Sequence, residues 1–205
     1  MLCRRALAFM IGAMGLAASA WAQPAAERPV PRVAEARLTV TGSAGQGVLP
    51  VEVSADWSWA LPAVTRAVVM VHGRLRNADD YFRLAAQARE AAGEQADTTL
   101  LIAPQFLAQQ DAQAHHLPPD VLRWDTNGWQ QGSPALGPAA LSSFEALDAV
   151  LARLGDTALF PSLRAIVVAG HSAGAQVVQR YAVVGRGDAA LARRALYVRY
   201  VVANP

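Results

Sequence analysis

A serine flanked by glycines is the residue of this sequence best suited to chemistry. Residues 170–174 read Gly-His-Ser-Ala-Gly and follow a continuously apolar segment. A serine on a sharp strand-to-helix turn is strained, and Gly170 and Gly174 relieve crowding that bulkier neighbours would create. Such a turn lifts the Ser172 hydroxyl above the sheet edge, beside the free backbone N–H of Ala173, which can stabilise an oxyanion. The pattern predicts a nucleophile for acyl transfer, and the alternative is an ordinary glycine-rich turn.

A second motif, His72-Gly73-Arg74, follows another apolar segment far upstream. At this point the chain resembles the α/β-hydrolase superfamily. In those enzymes a His-Gly turn after the third strand supplies one oxyanion N–H, and the nucleophile elbow follows the fifth strand. The order of apolar segments agrees with this arrangement, and the resemblance covers most of the chain.

The resemblance implies a role for each residue of the two motifs. Ser172 is the implied nucleophile, and the backbone N–H groups of Ala173 and of Arg74, or of its neighbour Gly73, are the implied oxyanion hole. The implied enzyme is a serine hydrolase that cleaves carboxylic esters or related acyl compounds through an acyl-enzyme, with no metal or organic cofactor. The rest of the elbow consists of Gly170, His171 and Gly174.

A general base is absent from its expected place. The family order is nucleophile, acid, histidine, but beyond Ser172 the chain has one acid, Asp188, and no histidine. His171 lies on the same turn as the serine, so its ring should point away from the hydroxyl. His72 is expected to support the oxyanion turn instead.

Two sources of the base remain open. His115 and His116 lie in a long segment that could overhang the site, since triads are defined by geometry rather than by chain order. The pair is less suited to a metal, because no Cys or acid at ligand spacing accompanies it. The favoured expectation is that the chain is incomplete at Pro205, and that roughly 80 to 120 further residues carry the acid and the histidine.

A rival function belongs to a different class. If the native chain ended at Pro205, a non-catalytic binding protein on the hydrolase scaffold would be favoured over an enzyme.

Two weaker sequence features bear on substrate choice. Trp124 and Trp129 are either the wall of a pocket or anchors for a long loop. Arg74 and Arg76 could meet a substrate carboxylate, although a solvated face is the favoured interpretation.

The strand patterns predict one sheet. Residues 37–40 and 49–53 alternate apolar and polar side chains around the glycine-rich segment 42–47, which predicts a β-hairpin. Later segments are apolar throughout, which is typical of strands buried on both faces of a parallel sheet. These segments are residues 67–71, 99–103 and 165–169, with 197–203 as a fourth candidate.

Helical patterns lie between the strands, over residues 78–92, 146–154 and 174–184. Asn77 is expected to cap the first helix, and Ser142 and Glu145 to form a capping box before the second. The alternation predicts an α/β fold with a mostly parallel sheet and helices on both faces. With the resemblance, residues 37–205 are expected to be the N-terminal part of an α/β-hydrolase domain whose last strands are missing.

The first 22 residues are typical of a signal peptide. A basic head with Arg4 and Arg5 precedes an apolar run over residues 6–18, and a small-x-small pattern predicts cleavage after Ala22. The run is shorter than the ~20 residues of a membrane-spanning helix, so an uncleaved anchor is the less favoured alternative. Residues 23–36 are expected to be a linker, and the mature protein to be periplasmic or secreted.

Composition narrows the class of partner. All 18 basic residues are arginine, against 16 acidic residues, and they are scattered, which argues against a nucleic-acid partner. The one cysteine, Cys3, leaves with the signal peptide, so no disulfide is expected. Because 53% of residues are hydrophobic and 17% charged, the core must hold the domain together. A small-molecule ester or acyl substrate is the expected partner, with no stable membrane anchor and no prediction of oligomeric state.

Overall fold

The computed structural model describes residues 24–192, 194 and 196–205 of the chain, and the predicted signal peptide over residues 1–22 lies outside them. Six strands form one mixed sheet in the order β1-β2-β4-β3-β5-β6. The strands are β1 (Ala36–Gly42), β2 (Gly45–Val53), β3 (Arg66–Val71), β4 (Thr99–Pro104), β5 (Ala165–His171) and β6 (Tyr197–Ala203). Each matches a predicted strand within a few residues.

Three of the five strand pairings are parallel. β1 and β2 form the predicted antiparallel hairpin, and β2 pairs antiparallel with β4. β3 then pairs parallel with both β4 and β5, and β5 pairs parallel with β6. The predicted α/β fold with a mostly parallel sheet is therefore confirmed. Because β3 and β5 are neighbours, the segments that follow them emerge side by side at one edge.

The helices lie on both faces, as predicted. They are α1 (Ala78–Ala91), α2 (Gln109–Ala114), α3 (Ser143–Leu154), α4 (Ala173–Val184) and α5 (Gly187–Ala192). The Ser142 hydroxyl accepts from the Glu145 N–H and the Glu145 carboxylate accepts from the Ser142 N–H, so the predicted capping box is confirmed. The predicted Asn77 cap is wrong, because the Asn77 side chain donates to the Asp80 carboxylate instead. None of the helices described is long and apolar enough to cross a membrane.

The two faces of the sheet are covered unequally. On one face α3 and α4 bury alternate residues of β3 and β5, such as Val69 and Ile166, in the main apolar core. On the other face lies α1, and a shallow depression between α1 and the sheet is lined by Val68 and Met70. β4 is buried on both faces, whereas β3 and β5 alternate between buried and half-buried residues. The expectation of burial on both faces thus holds for β4 alone.

The segment expected to be a linker packs against the body. Residues 24–35, here called the strap, contain a short 3₁₀ turn at Ala25–Glu27 and continue to the start of β1. Ala26, Val30 and Ala34 are buried, and Val30 packs with Leu107 and Val121 in a small apolar cluster. The strap is therefore held by side-chain burial as well as by the hydrogen bonds described below.

Candidate active site

Ser172 occupies a strained turn between β5 and α4. Its φ of 56° and ψ of −125° lie in a region that residues other than glycine rarely adopt. The strain is held in place from both sides, because the Ser172 N–H donates to the carbonyl oxygen of Ala203 on β6 and α4 begins at the next residue. The serine thus sits at the carboxyl end of a central parallel strand, as the sequence predicts for an elbow.

The two flanking glycines are required by close backbone contacts. A β-carbon at Gly170 would lie 2.3 Å from the carbonyl oxygen of Gly174, inside the elbow itself. A β-carbon at Gly174 would lie 2.3 Å from the carbonyl oxygen of Val71 and 2.5 Å from that of His72. No side chain fits at these distances, so the first turn of α4 is in direct contact with the end of β3. This contact brings the two sequence motifs together.

The backbone N–H groups near Ser172 differ in whether they have a hydrogen-bond partner. Among the described residues, no group accepts a hydrogen bond from the backbone N–H of Ala173 or of Arg74. Gly73 differs, because its backbone interacts with the hydroxyl of Tyr81, which lies directly against it. Burial raises the pKa of the Tyr81 hydroxyl, whereas its hydrogen bond with the Gly73 backbone lowers that pKa. The geometry therefore favours Ala173 and Arg74 over Gly73 as the donor pair.

His72 is buried beneath the turn and is neutral. Its Nδ1 donates to the carbonyl oxygen of Gly73 at 2.9 Å, and its Nε2 accepts from the Phe106 N–H at 2.9 Å. Burial lowers the pKa of His72 to about 4. The positive charge of Arg76 also lowers this pKa, whereas the hydrogen bond to Gly73 raises it. Both ring nitrogens are occupied, so His72 holds the turn and is not a general base.

Two of the other histidines have side-chain partners away from the Ser172 hydroxyl. His171 is exposed, and its Nδ1 lies 3.4 Å from the Tyr81 hydroxyl. His115 donates from Nε2 to the carbonyl oxygen of Val30 at 2.7 Å, which ties it to the strap. His116 lies on the surface next to it. In the part of the chain that the structure describes, no histidine hydrogen-bonds Ser172, so the His115-His116 interpretation gains no support.

The acid beyond the serine is likewise engaged elsewhere. Asp188 lies at the start of α5 and accepts a hydrogen bond of 2.5 Å from the Tyr200 hydroxyl. No group of three or more His, Cys, Asp or Glu side chains that could hold a metal ion occurs among the described residues. The described site therefore brings together a serine on a strained turn and two backbone N–H groups without a partner.

Trp124 and Trp129 anchor the long loop and do not line a pocket. Both side chains are completely buried, and their indole N–H groups donate to the carbonyl oxygens of Leu141 and Thr126. Phe106 stacks on Trp129, whose ring also lies 4.7 Å from that of His72, centroid to centroid. The pocket interpretation of these tryptophans is thus corrected. Their effect on the site is to fix the floor beneath the oxyanion turn.

Arg76 contradicts both interpretations of its sequence position. It neither faces solvent nor points to a substrate, because its side chain is 0% exposed and pairs with Asp111, also 0% exposed, at 2.6 Å. Arg74 is exposed, as expected for a solvated residue. No pattern in the sequence marks Asp111 as the partner, since it lies 35 residues away on α2. No pattern in the sequence indicates the contact of the Tyr81 hydroxyl with Gly73 either.

Comparisons with known proteins give structural matches only. No family model matches the sequence, and a search of curated proteins gives no match. LpqC, a poly(3-hydroxybutyrate) depolymerase from Bordetella parapertussis, is 17% identical with a TM-score of 0.43, over 73% of this chain and 47% of that one. Poly(aspartic acid) hydrolase-1 from Sphingomonas sp. KT-1 is 19% identical with a TM-score of 0.46, over 75% and 51%.

A third match is an α/β serine hydrolase without a lid from Xanthomonas campestris, 16% identical with a TM-score of 0.37, over 76% of this chain and 58% of the other. The chain thus spans about half the length of the structures that it matches.

The burial of neutral His72 predicts a loss of stability in mild acid. Below about pH 6.5 an unfolded histidine takes up a proton, whereas folded His72 does so only near pH 4. The unfolded state binds more protons in this window, so the free energy of unfolding falls as pH falls. We expect a loss of about 2 kcal/mol between pH 7.5 and 5 from this residue. Urea unfolding at the two pH values measures it.

The matched variant is His72→Gln, which has an amide oxygen but no group that titrates in this range. It should be less stable than the wild type at pH 7.5, yet lose less stability on acidification. An equal loss in both proteins would show that His72 is not the group responsible.

Proposed function

We propose that this protein is a serine hydrolase of the α/β-hydrolase type that cleaves carboxylic esters or related acyl compounds through an acyl-enzyme on Ser172. The observation that carries the proposal is the strained backbone of this serine beside a free helix N-terminal N–H. Strain at a residue other than glycine persists only where the surroundings enforce it, and such positions cluster at active sites. Here Gly170, Gly174 and the Ala203 carbonyl provide that enforcement.

The position of the site in the sheet supports the same proposal. From β3 the chain leads through α1 to β4 on one side, and from β5 through α4 to β6 on the other. Neighbouring strands whose connections diverge leave a crevice at their carboxyl ends, which is where open α/β sheets bind ligands. The oxyanion turn and the serine follow these two strands.

The proposed reaction uses the described groups as follows. The Ser172 hydroxyl attacks the carbonyl carbon of the ester, a base removes the hydroxyl proton, and the carbonyl oxygen takes the negative charge. The N–H groups of Ala173 and Arg74 stabilise this oxyanion. Collapse of the tetrahedral intermediate expels the alcohol, which takes a proton from the protonated base, and leaves the acyl group on Ser172. Water then attacks this acyl-enzyme and releases the carboxylic acid. The source of the base stays a prediction.

The rival remains a binding protein on the same scaffold, with the elbow kept for shape. One observation separates the two proposals in favour of the enzyme. An anion-binding protein would also use the free N–H groups of Ala173 and Arg74. It is the strained backbone of Ser172 beside them that favours the enzyme, because acyl transfer needs a nucleophile held at that position.

A fluorophosphonate tests the nucleophile directly. We expect the native mature protein to gain the mass of one phosphonyl adduct and Ser172→Ala to gain none, because the probe forms a bond with an activated serine oxygen. Intact-mass spectrometry measures the adduct, and proteolysis of the adduct locates it.

The control variant is Ser143→Ala, which removes a buried hydroxyl bonded to the Trp129 carbonyl and leaves the elbow intact. It should still gain the adduct. A native protein that gains no adduct would contradict the enzyme and favour the binding protein. An adduct that survives Ser172→Ala would contradict Ser172 as the nucleophile.

We also propose that the protein is exported, to the periplasm or beyond, which rests on the residue pattern of positions 1–22. The pattern predicts that the mature chain begins at Gln23, directly before the strap. N-terminal sequencing of the protein from a cell envelope or culture fraction checks this. A mature chain that retains residues 1–22 would instead favour an uncleaved anchor.

A further inference from the structure

The Arg76 guanidinium is fully buried, and four of its five N–H groups donate hydrogen bonds. Its Nε donates to Asp111 Oδ2 at 2.6 Å and its Nη2 to Asp111 Oδ1 at 3.1 Å, a two-point contact with one carboxylate. Two further N–H groups donate to carbonyl oxygens, from Nη1 to Ala26 at 2.7 Å and from Nη2 to Arg28 at 2.9 Å. A buried charge is tolerated only when it is paired and hydrogen-bonded in this way. The Arg76 side chain therefore has one permitted position.

The backbone of the same residue closes the oxyanion turn. The Arg76 N–H donates to the Gly73 carbonyl at 3.1 Å, and the Arg76 carbonyl accepts from Gln105 Nε2 at 2.9 Å. Its φ of 60° is in the left-handed region, which a residue other than glycine rarely adopts. The turn over residues 73–76 thus ends at a residue fixed through both its backbone and its side chain.

The strap supplies the outer half of this network. Its peptide groups contact the side chains of Arg76, Asp111 and Gln105. The carbonyl acceptors are those of Ala26 and Arg28 for Arg76, and of Arg32 for Gln105. The N–H donors are those of Val30 to Asp111 and of Ala34 to Gln105, each at 2.8 Å.

We propose that Arg76 is a positioning residue for the oxyanion hole, and that the strap is a working part of the active site through it. The inference rests on the proposed function, in which the N–H of Arg74, two residues before Arg76, is the second oxyanion donor. The Arg76-Asp111 pair and the strap fix the end of the turn. The His72 ring and the Tyr81 hydroxyl hold its start.

The expected consequence falls on kcat rather than on KM. An oxyanion donor acts on charge that exists only in the transition state, so its displacement lowers kcat and leaves ground-state binding almost unchanged. Loss of one donor lowers kcat by about 100- to 1000-fold in known cases. Displacement without loss should give a smaller effect, roughly tenfold to a hundredfold.

The test variant is Arg76→Lys, which keeps the charge but cannot reach Asp111 and two carbonyls together. Asp111→Asn provides a second disturbance of the same network. The matched control is Arg194→Lys, since Arg194 also donates to three carbonyl oxygens, those of Leu154, Gly155 and Phe160, in the segments that precede β5. All three variants should lose stability, and assays run well below their melting temperatures.

Two readouts are measured on the full mature chain. The first is hydrolysis of p-nitrophenyl acetate, with kcat and KM resolved. The second is deuterium uptake by the peptide that covers residues 70–76, which needs no activity. We expect Arg76→Lys and Asp111→Asn to lower kcat at nearly constant KM and to raise uptake in this peptide. Arg194→Lys should do neither.

The outcomes separate the inference from the proposed function. If the wild type hydrolyses nothing and gains no phosphonyl adduct, the proposed function fails and deuterium uptake alone decides whether Arg76 fixes the turn. Unchanged uptake in Arg76→Lys overturns the inference whatever the activity. In an active wild type, an equal fall of kcat in Arg76→Lys and Arg194→Lys also overturns it, because the effect would then be general destabilisation.

Discussion

The buried ion pair between Arg76 and Asp111 is the interaction on which the geometry of the site depends. Removing one partner of such a pair costs about 3–5 kcal/mol, because the other charge is left buried and unpaired. Replacing both by apolar residues is often harmless to stability, so stability alone gives little reason for the pair. What the pair does here is join four segments: the strap, the oxyanion turn, the end of β4 through Gln105, and α2. Its directional hydrogen bonds fix their relative positions.

A second constraint acts independently on the other half of the site. The backbone at Gly174 lies directly against the carbonyl oxygens of Val71 and His72. Within the elbow, the backbone at Gly170 lies directly against the carbonyl oxygen of Gly174. These contacts set the distance between the serine and the turn without involving Arg76. The proposed active site is thus assembled from two parts that meet at the carboxyl ends of β3 and β5. The aromatic stack of Phe106 and Trp129 under His72 supports them from below.

The elements of the fold follow from local patterns in the sequence. Continuous apolar runs identify β3, β4 and β5, the Ser142-Glu145 box marks the start of α3, and the glycines around Ser172 mark the elbow, because each signal depends on residues close together in the chain. The misread residues depend on distant partners. Arg76 pairs with a carboxylate 35 positions away, and Trp124 bonds a carbonyl 17 positions away. Asn77 is a separate case: it has the right residue type for a cap, but its amide group donates to nearby Asp80 and its side chain accepts from no backbone N–H.

The most direct test of the account is a crystal structure of the protein after reaction with a fluorophosphonate. The phosphoryl oxygen of the adduct occupies the position of the oxyanion in the acyl-transfer transition state. The account predicts that this oxygen lies about 2.7–3.1 Å from the backbone nitrogens of both Ala173 and Arg74, with the Arg76-Asp111 pair unbroken. A phosphoryl oxygen that points away from the turn, or that accepts from Gly73 after displacing Tyr81, would contradict it.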